Sequence, residues 1–142
     1  MAVLREVPVE AQVLVRGEPR PRFPLEPNTS AGDVLWLGPD EWLVLGGREA
    51  EYADAAVAVD VSAARVVLEL AGDDAREVLA QGCSLDLRSG SFGPGRCAQT
   101  LVARTEAILH CAGDDAIRLL VRPSFAPYLR AWLEDAIDGV RR

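Results

Sequence analysis

Short apolar runs separated by turn residues dominate the 142-residue sequence, and this pattern restricts the chain to a fold built from short, antiparallel strands. The clearest example consists of residues 34–37 and 42–45, which are joined by Gly-Pro-Asp-Glu. Pro39 presets the backbone torsion that the first central position of a type I turn requires. These two runs are therefore predicted to form a β-hairpin.

Two more strands and a short helix are predicted after the hairpin. Residues 57–61 and 66–70 are β-prone, and the alternation in the second run directs Glu69 outward, away from its apolar neighbours. A helix then begins after Gly72 and ends at Gly82, with its apolar residues on one face. We expect this helix to pack back on the strand that precedes it.

The second half of the chain predicts a three-stranded meander and a terminal helix. The strands lie at residues 100–103, 107–111 and 117–121, separated by short polar connections. Ser124 caps the helix, whose apolar stripe consists of Phe125, Leu129, Trp132, Leu133, Ala136 and Val140. The whole order predicts an α+β fold in which an antiparallel sheet carries helices packed on one face. A chain of this length buries enough surface to form a single domain over residues 1–142.

Four prolines fall within residues 18–27 and exclude both a helix and a central strand there. Two interpretations of this extended segment stay open: an arm that lies on a partner, or a loop that crosses the domain's own surface. The apolar runs before it, at residues 4–7 and 12–15, are interpreted as an edge hairpin. The domain is therefore divided into an extended, proline-rich arm at residues 1–33 and a core at residues 34–142.

Charge and composition exclude several classes of function. The 22 acidic and 15 basic residues give a net charge of −7, which argues against binding to nucleic acid or to an anionic membrane. Every cation is an arginine, so Schiff-base and phosphate-loop lysine chemistry is excluded. Three cysteines without a CxxC pair argue against disulfides and structural zinc. With no run of signal-peptide or membrane-spanning length, the sequence predicts a cytoplasmic protein.

Residues that could carry catalysis are few. His110 is the single histidine and lies inside a predicted strand, so we interpret it as a sheet residue without a neighbouring base or nucleophile. Cys83 follows a helix C-terminus, whose negative dipole disfavours a thiolate. The glycines of residues 88–96 precede a strand rather than a helix, which indicates a tight turn and not a phosphate-binding loop. No catalytic residue and no metal site is predicted.

Six segments occur in an order that matches a known family, and the first and fifth are the most specific. They are WLGPDEWL at 36–43, VDVS at 59–62, LAGDDAR at 70–76, GCSLDL at 82–87, FGPGRCAQT at 92–100 and VRPSFA at 121–126. Together they resemble the gamma subunit of heterotetrameric sarcosine oxidase. The resemblance extends from about residue 34 to about residue 137.

The resemblance implies a fold similar to part of the aminomethyltransferase folate-binding domain. It also implies a non-catalytic accessory role, without a cofactor in this chain, in a complex that oxidatively demethylates sarcosine to glycine. The implied partners are alpha and beta subunits, which would carry FAD, FMN, NAD and tetrahydrofolate. Trp36 and Trp42 are expected to contact a partner, although core packing is the commoner fate of such residues. The isolated chain is a candidate homo-oligomer.

One departure from the aminomethyltransferase pattern concerns its functional acid. That acid lies in a Gly-Gly-Val-Val-Asp-Asp strand, whereas residues 106–111 here place His110 at the first aspartate. The acid chemistry therefore does not transfer to this chain. The alternative function is a free-standing relative that binds a folate-like molecule in the remnant of a pocket. The candidate pocket residues are Asp60, Ser62, Arg96, Gln99 and His110.

Overall fold

The computed structural model describes residues 1–9 and 11–141 as two packed antiparallel sheets with two α-helices. The strands are β1 (Val3–Val7), β2 (Gln12–Arg16), β3 (Ser30–Ala31), β4 (Val34–Gly38), β5 (Glu41–Leu45), β6 (Val57–Asp60), β7 (Val66–Ala71), β8 (Cys97–Val102), β9 (Thr105–Gly113) and β10 (Ala116–Val121). The helices are α1 (Ala75–Ala80) and α2 (Ala126–Arg141), and 3-10 turns occupy Glu49–Tyr52 and Pro123–Phe125. The first sheet has the order β1-β7-β10-β9-β8 and the second β3-β4-β5-β2-β6.

The first sheet is covered on both of its faces. Leu109 of β9 packs with Leu129 and Leu133 of α2, whereas the adjacent Ile108 packs with Leu35 and Leu43 of the second sheet. This alternation follows from the two-residue period of a strand, which sends successive side chains to opposite faces. The predicted α+β class with antiparallel strands is therefore confirmed, with a second sheet on the face opposite the helices.

The hairpin and the meander form as the sequence predicts. Strands β4 and β5 pair around the turn, with Trp36 opposite Trp42, and β8, β9 and β10 are consecutive neighbours. Helix α1 buries the predicted apolar face and ends before Gly82. A Cβ atom at Gly82 would lie only 2.5 Å from the Trp132 ring of α2, so the close contact between helix end and indole requires glycine.

Residues 4–7 and 12–15 are strands, but they do not form the expected hairpin. Strand β1 pairs with β7 at the edge of the first sheet, and β2 pairs with β5 and β6 inside the second. Val13 and Val15 of β2 are buried, which explains why this strand takes a central position. Residues 1–33 therefore contribute strands to both sheets, and the irregular, proline-rich part is shorter than the expected arm.

The proline-rich segment lies against the second sheet. The Trp42 Nε1 donates a hydrogen bond of 2.7 Å to the Pro24 carbonyl, and the Phe23 ring meets the indole edge-on at 5.4 Å. Arg20 forms an ion pair of 3.0 Å with Asp54. These contacts match the interpretation of the segment as a loop that crosses the domain's own surface.

Two side chains differ from the sequence prediction. Glu69 is predicted to face solvent, but it is only 7% exposed. Arg5 of β1 and Arg118 of β10 lie directly opposite it and bind its carboxylate at 2.9 and 3.2 Å. Burial alone raises the pKa of Glu69, but the hydrogen bonds from the two arginines outweigh it and lower that pKa. Phe125 is 47% exposed because the chain forms a 3-10 turn there, and Ser124 makes no capping bond.

Arg76 of α1 fixes the glycine-containing loop that the sequence predicts at residues 88–96. Its guanidinium donates hydrogen bonds of 2.6 Å to the carbonyls of Leu87 and Phe92, and one of 2.9 Å to that of Asp114. The loop buries the Phe92 ring and leads directly into β8. The loop is thus a structural turn held from inside by one arginine.

Candidate functional site

A groove of about 560 Å³ lies on the first sheet beside the edge of the second. Its floor contains Ile108 of β9 and Leu120 of β10, and both side chains also contact the second sheet. Gln99 of β8 closes one side, since its Nε2 donates a hydrogen bond of 2.9 Å to the Leu37 carbonyl of β4. The remaining lining residues are Arg65, Ser84, Thr100, Leu101, Glu106, Ala107 and Arg122.

Two arginines stand side by side on the rim of this groove. Val66 of β7 pairs with Val121 of β10, so Arg65, which precedes the first strand, and Arg122, which follows the second, are brought together. Burial lowers the pKa of Arg65, and the positive charge of Arg122 lowers it further. Among residues 1–9 and 11–141, no carboxylate forms an ion pair with either guanidinium.

Sequence reasoning did not single out Arg65 or Arg122 as site residues. Each flanks a predicted strand, but nothing local shows that the two strands are neighbours in the sheet. Their juxtaposition depends on the antiparallel pairing of β7 with β10, which are separated in the chain by α1 and two strands. An antiparallel pairing of residues 66–70 with 117–121 is the one signal that places the two arginines together.

Asp60 and Ser62 are adjacent in the structure and bond to one another. The Ser62 hydroxyl donates to the Asp60 carboxylate at 2.6 Å, and the Ser62 amide donates to the same oxygen at 2.9 Å. These hydrogen bonds lower the pKa of the exposed Asp60 carboxyl. The Ser62 hydroxyl oxygen also accepts a hydrogen bond of 2.9 Å from the backbone N–H of Gln12. Both side chains are therefore engaged at the end of β6.

The other candidate pocket residues are separated. Gln99 lines the groove, whereas Arg96 is exposed at the start of β8, where its carbonyl accepts a bond from the Cys111 amide. His110 is buried at the register position between Cys97 and Arg118. The structure therefore joins Asp60 to Ser62 and places only Gln99 of the five in the groove.

His110 of β9 and Cys97 of β8 lie opposite each other on adjacent strands, but they do not form a reactive pair. Burial lowers the pKa of His110, and the nearby Arg118 charge lowers it further. Burial raises the pKa of the Cys97 thiol to about 11, although its contact with the Trp36 carbonyl acts in the opposite direction. At neutral pH the imidazole is uncharged and the thiol keeps its proton, so this pair offers neither a thiolate nor a cation.

We expect the substitution His110→Gln to reduce the loss of stability in acid. Since the folded-state pKa of His110 is depressed, the unfolded chain binds its proton first and acid favours unfolding. As the pH falls through the ordinary pKa of histidine, about 6.5, the natural chain should lose more stability than the variant. Urea unfolding followed by circular dichroism at several pH values measures the difference, and parallel curves for the two proteins would contradict it.

The three tryptophans have different surroundings. Trp42 is fully buried and bonded to Pro24, so its side chain is not on the surface where a partner could reach it. Trp36 is half-buried on β4, and Trp132 is half-buried against Gly82. Of the two residues expected to contact a partner, Trp36 alone keeps part of its ring accessible.

Two kinds of feature are absent from the part of the chain that the structure describes. Over residues 1–9 and 11–141, no group of three or more histidine, cysteine, aspartate or glutamate side chains is arranged to hold a metal ion. Neither of the α-helices in the same part of the chain has the length and apolar character needed to cross a bilayer.

Comparison with known sequences identifies similar proteins. The profile of the sarcosine oxidase, gamma subunit family matches residues 27–138. Sarcosine oxidase subunit gamma of Corynebacterium sp. (strain P-1) is 38% identical over 114 residues, which cover 74% of this chain and 56% of that protein. The protein of the same name from Corynebacterium sp. (strain U-96) is 34% identical over 120 residues, covering 78% and 58%. The chain thus spans little more than half the length of these relatives.

Comparison with solved structures gives a match over almost the whole chain. A chain of the heterotetrameric sarcosine oxidase from Corynebacterium sp. U-96, in complex with pyrrole 2-carboxylate, superimposes with a TM-score of 0.86. The two chains are 31% identical, and the match covers 97% of this chain and 84% of the other. The likeness therefore includes strands β1 and β2, which lie before the segment matched by the family profile.

Proposed function

This chain belongs to the sarcosine oxidase gamma subunit family, and on that premise we propose that it is the accessory, non-catalytic subunit of a sarcosine oxidase-type complex. The complex would oxidatively demethylate sarcosine to glycine. The observation that carries this proposal is the match of nearly the entire fold to a chain of a heterotetrameric sarcosine oxidase. We propose that it forms a single domain over residues 1–142, because one hydrophobic cluster joins both sheets. The location that we propose is the cytoplasm.

The chemistry of the candidate polar side chains supports a non-catalytic role. His110 is held in its neutral form, and its Nδ1 has no hydrogen-bond partner within the described residues. Cys97 keeps its proton at neutral pH because its pKa is about 11. Asp60 and Ser62 are engaged with each other at the end of β6. The complex would draw its flavin and folate chemistry from other chains.

The proposed partners are the alpha and beta subunits of such a complex. FAD, FMN, NAD and tetrahydrofolate would be bound by those subunits. Trp36 is the residue we place at the contact, because its ring on β4 is only partly buried and aromatic side chains supply much of the affinity at protein interfaces. The remaining contacts would involve other exposed apolar residues of this chain.

Co-expression of this chain with the alpha and beta subunits of a sarcosine oxidase-type complex tests the proposal. Affinity capture of the chain should recover those subunits in a fixed ratio, and the eluate should show flavin absorbance. Capture of this chain alone, from cells in which the flavoproteins are folded and soluble, would contradict the proposal.

The substitution Trp36→Ala is expected to weaken this capture at least tenfold, because loss of an anchoring aromatic at an interface costs about 2 kcal/mol or more. The matched control is Val3→Ala, which truncates a side chain that is 59% exposed on the edge of the other sheet. Equal capture by the natural chain and both variants would exclude Trp36 from the contact.

A further inference from the structure

The groove beside the second sheet combines an apolar floor with two cations on its rim. Ile108 and Leu120 form the floor, and Leu101, which is 55% exposed, extends it toward solvent. Arg65 and Arg122 stand at neighbouring register positions. A volume of about 560 Å³ is within the range of small-molecule sites, which also combine apolar walls with a few charged groups.

The charge at this rim is opposite in sign to the net charge of the molecule. The chain as a whole carries a net charge of −7, yet the rim holds two guanidinium groups that have no ion pair among residues 1–9 and 11–141. Like charges at neighbouring positions repel, and a bound anion between them removes this repulsion. Glu41 lies close enough to Arg65 to act on it electrostatically without forming an ion pair.

Glu106 is the one carboxylate among the lining residues. It is exposed on β9 opposite Leu101 of β8 and forms no ion pair with either arginine in the described structure. Glu106 therefore opposes an incoming anion without neutralising the rim. Replacing Glu106 should raise the affinity of the groove for an anion, whereas replacing either arginine should lower it.

We infer that this groove binds a small organic acid, whose carboxylate lies between Arg65 and Arg122 and whose apolar body lies against the exposed Leu101, above the buried Ile108 and Leu120. Guanidinium groups match the geometry of a carboxylate and bind it through two parallel hydrogen bonds. The apolar floor favours a ligand with an apolar body over a simple inorganic ion. Gln99 and Thr100 border the same space and offer polar contacts to the ligand.

Titration of the isolated 142-residue chain with benzoate tests this inference, with binding followed by nuclear magnetic resonance of the arginine side chains. Benzoate should bind with a Kd on the order of 1 mM, since a ligand with so few heavy atoms cannot bind tightly to an open groove. Acetate and inorganic phosphate, which lack the apolar body, and benzyl alcohol, which lacks the charge, should each bind at least tenfold more weakly.

Variants separate the groove from adventitious binding. Arg65→Gln and Arg122→Gln should each weaken benzoate binding at least tenfold, and Glu106→Gln should strengthen it. Arg96→Gln removes the same charge from an exposed position outside the groove and should leave binding unchanged. Thermal unfolding of every variant checks that the fold is retained.

Three results would overturn the inference. These are no saturable binding of benzoate, equal binding of benzoate and phosphate, and equal losses of affinity in the Arg65, Arg122 and Arg96 variants. None of these results bears on the accessory role, which the capture experiment tests separately.

Discussion

Replacing Trp42 with alanine is expected to lower the free energy of unfolding by about 3–5 kcal/mol, as at other buried aromatic positions. The side chain is fully buried in the second sheet, and its Nε1 donates a hydrogen bond of 2.7 Å to the Pro24 carbonyl. The Phe23 ring also packs on the indole. Alanine would therefore leave a cavity and release the proline-rich segment. Because domains of this size are stable by only about 5–15 kcal/mol, much of the total would be lost.

Urea unfolding followed by circular dichroism measures this effect. The milder variant Trp42→Phe keeps most of the ring and removes the N–H donor, so it should lose about 1–3 kcal/mol through the unpaired Pro24 carbonyl. Trp36→Ala is the matched control, because Trp36 lies directly opposite Trp42 but is half-exposed. Equal losses at the two tryptophans would show that the Pro24 contact contributes nothing.

Replacing Arg76 with methionine is expected to lower the free energy of unfolding by about 3 kcal/mol. Its guanidinium donates to three carbonyls, at Leu87, Phe92 and Asp114, and also contacts the Cys111 sulfur. Methionine can replace the aliphatic part of the side chain but none of these donors. Each partly buried carbonyl left without a partner costs about 1–3 kcal/mol, and those near the surface recover some of this from water.

The matched control for Arg76 is Arg96→Met. Arg96 lies at the end of the loop that Arg76 holds, and its exposed side chain forms no hydrogen bond in the described part of the chain. The control should change the stability by no more than about 0.5 kcal/mol. Amide hydrogen exchange should also accelerate across residues 88–96 in the Arg76 variant alone. Equal destabilisation by both substitutions would refute the assigned role of Arg76.

The parts of the fold predicted correctly are those set by local chemistry. Pro39 and the glycine before it mark the β4–β5 turn, and the apolar face of residues 75–79 marks α1. Residues 4–7 and 12–15 were also recognised as strands, but their pairing was wrong. A strand's period shows which face is apolar, and it does not show which distant strand completes the sheet.

The positions of individual side chains show the same limit of prediction from local sequence. Glu69 was expected to face solvent because its own strand alternates, whereas two arginines from neighbouring strands enclose it. Arg65 and Arg122 likewise carry no local mark of a site, since only the sheet order brings them together. Of the candidate pocket residues, Asp60 and Ser62 bond to each other, as their closeness in the chain allows, and Gln99 alone lines the groove.

The separation of β1 and β2 into different sheets affects how the chain folds during synthesis. Arg5 of β1 and its partner Glu69 of β7 are 64 positions apart, so β1 has no partner until β7 has left the ribosome. At about 5–20 residues per second this interval lasts roughly 3–13 s. During that time β1 presents free backbone groups and apolar side chains, which promote aggregation. We therefore expect chaperone supply to limit the yield of soluble protein more than the stability of the finished fold does.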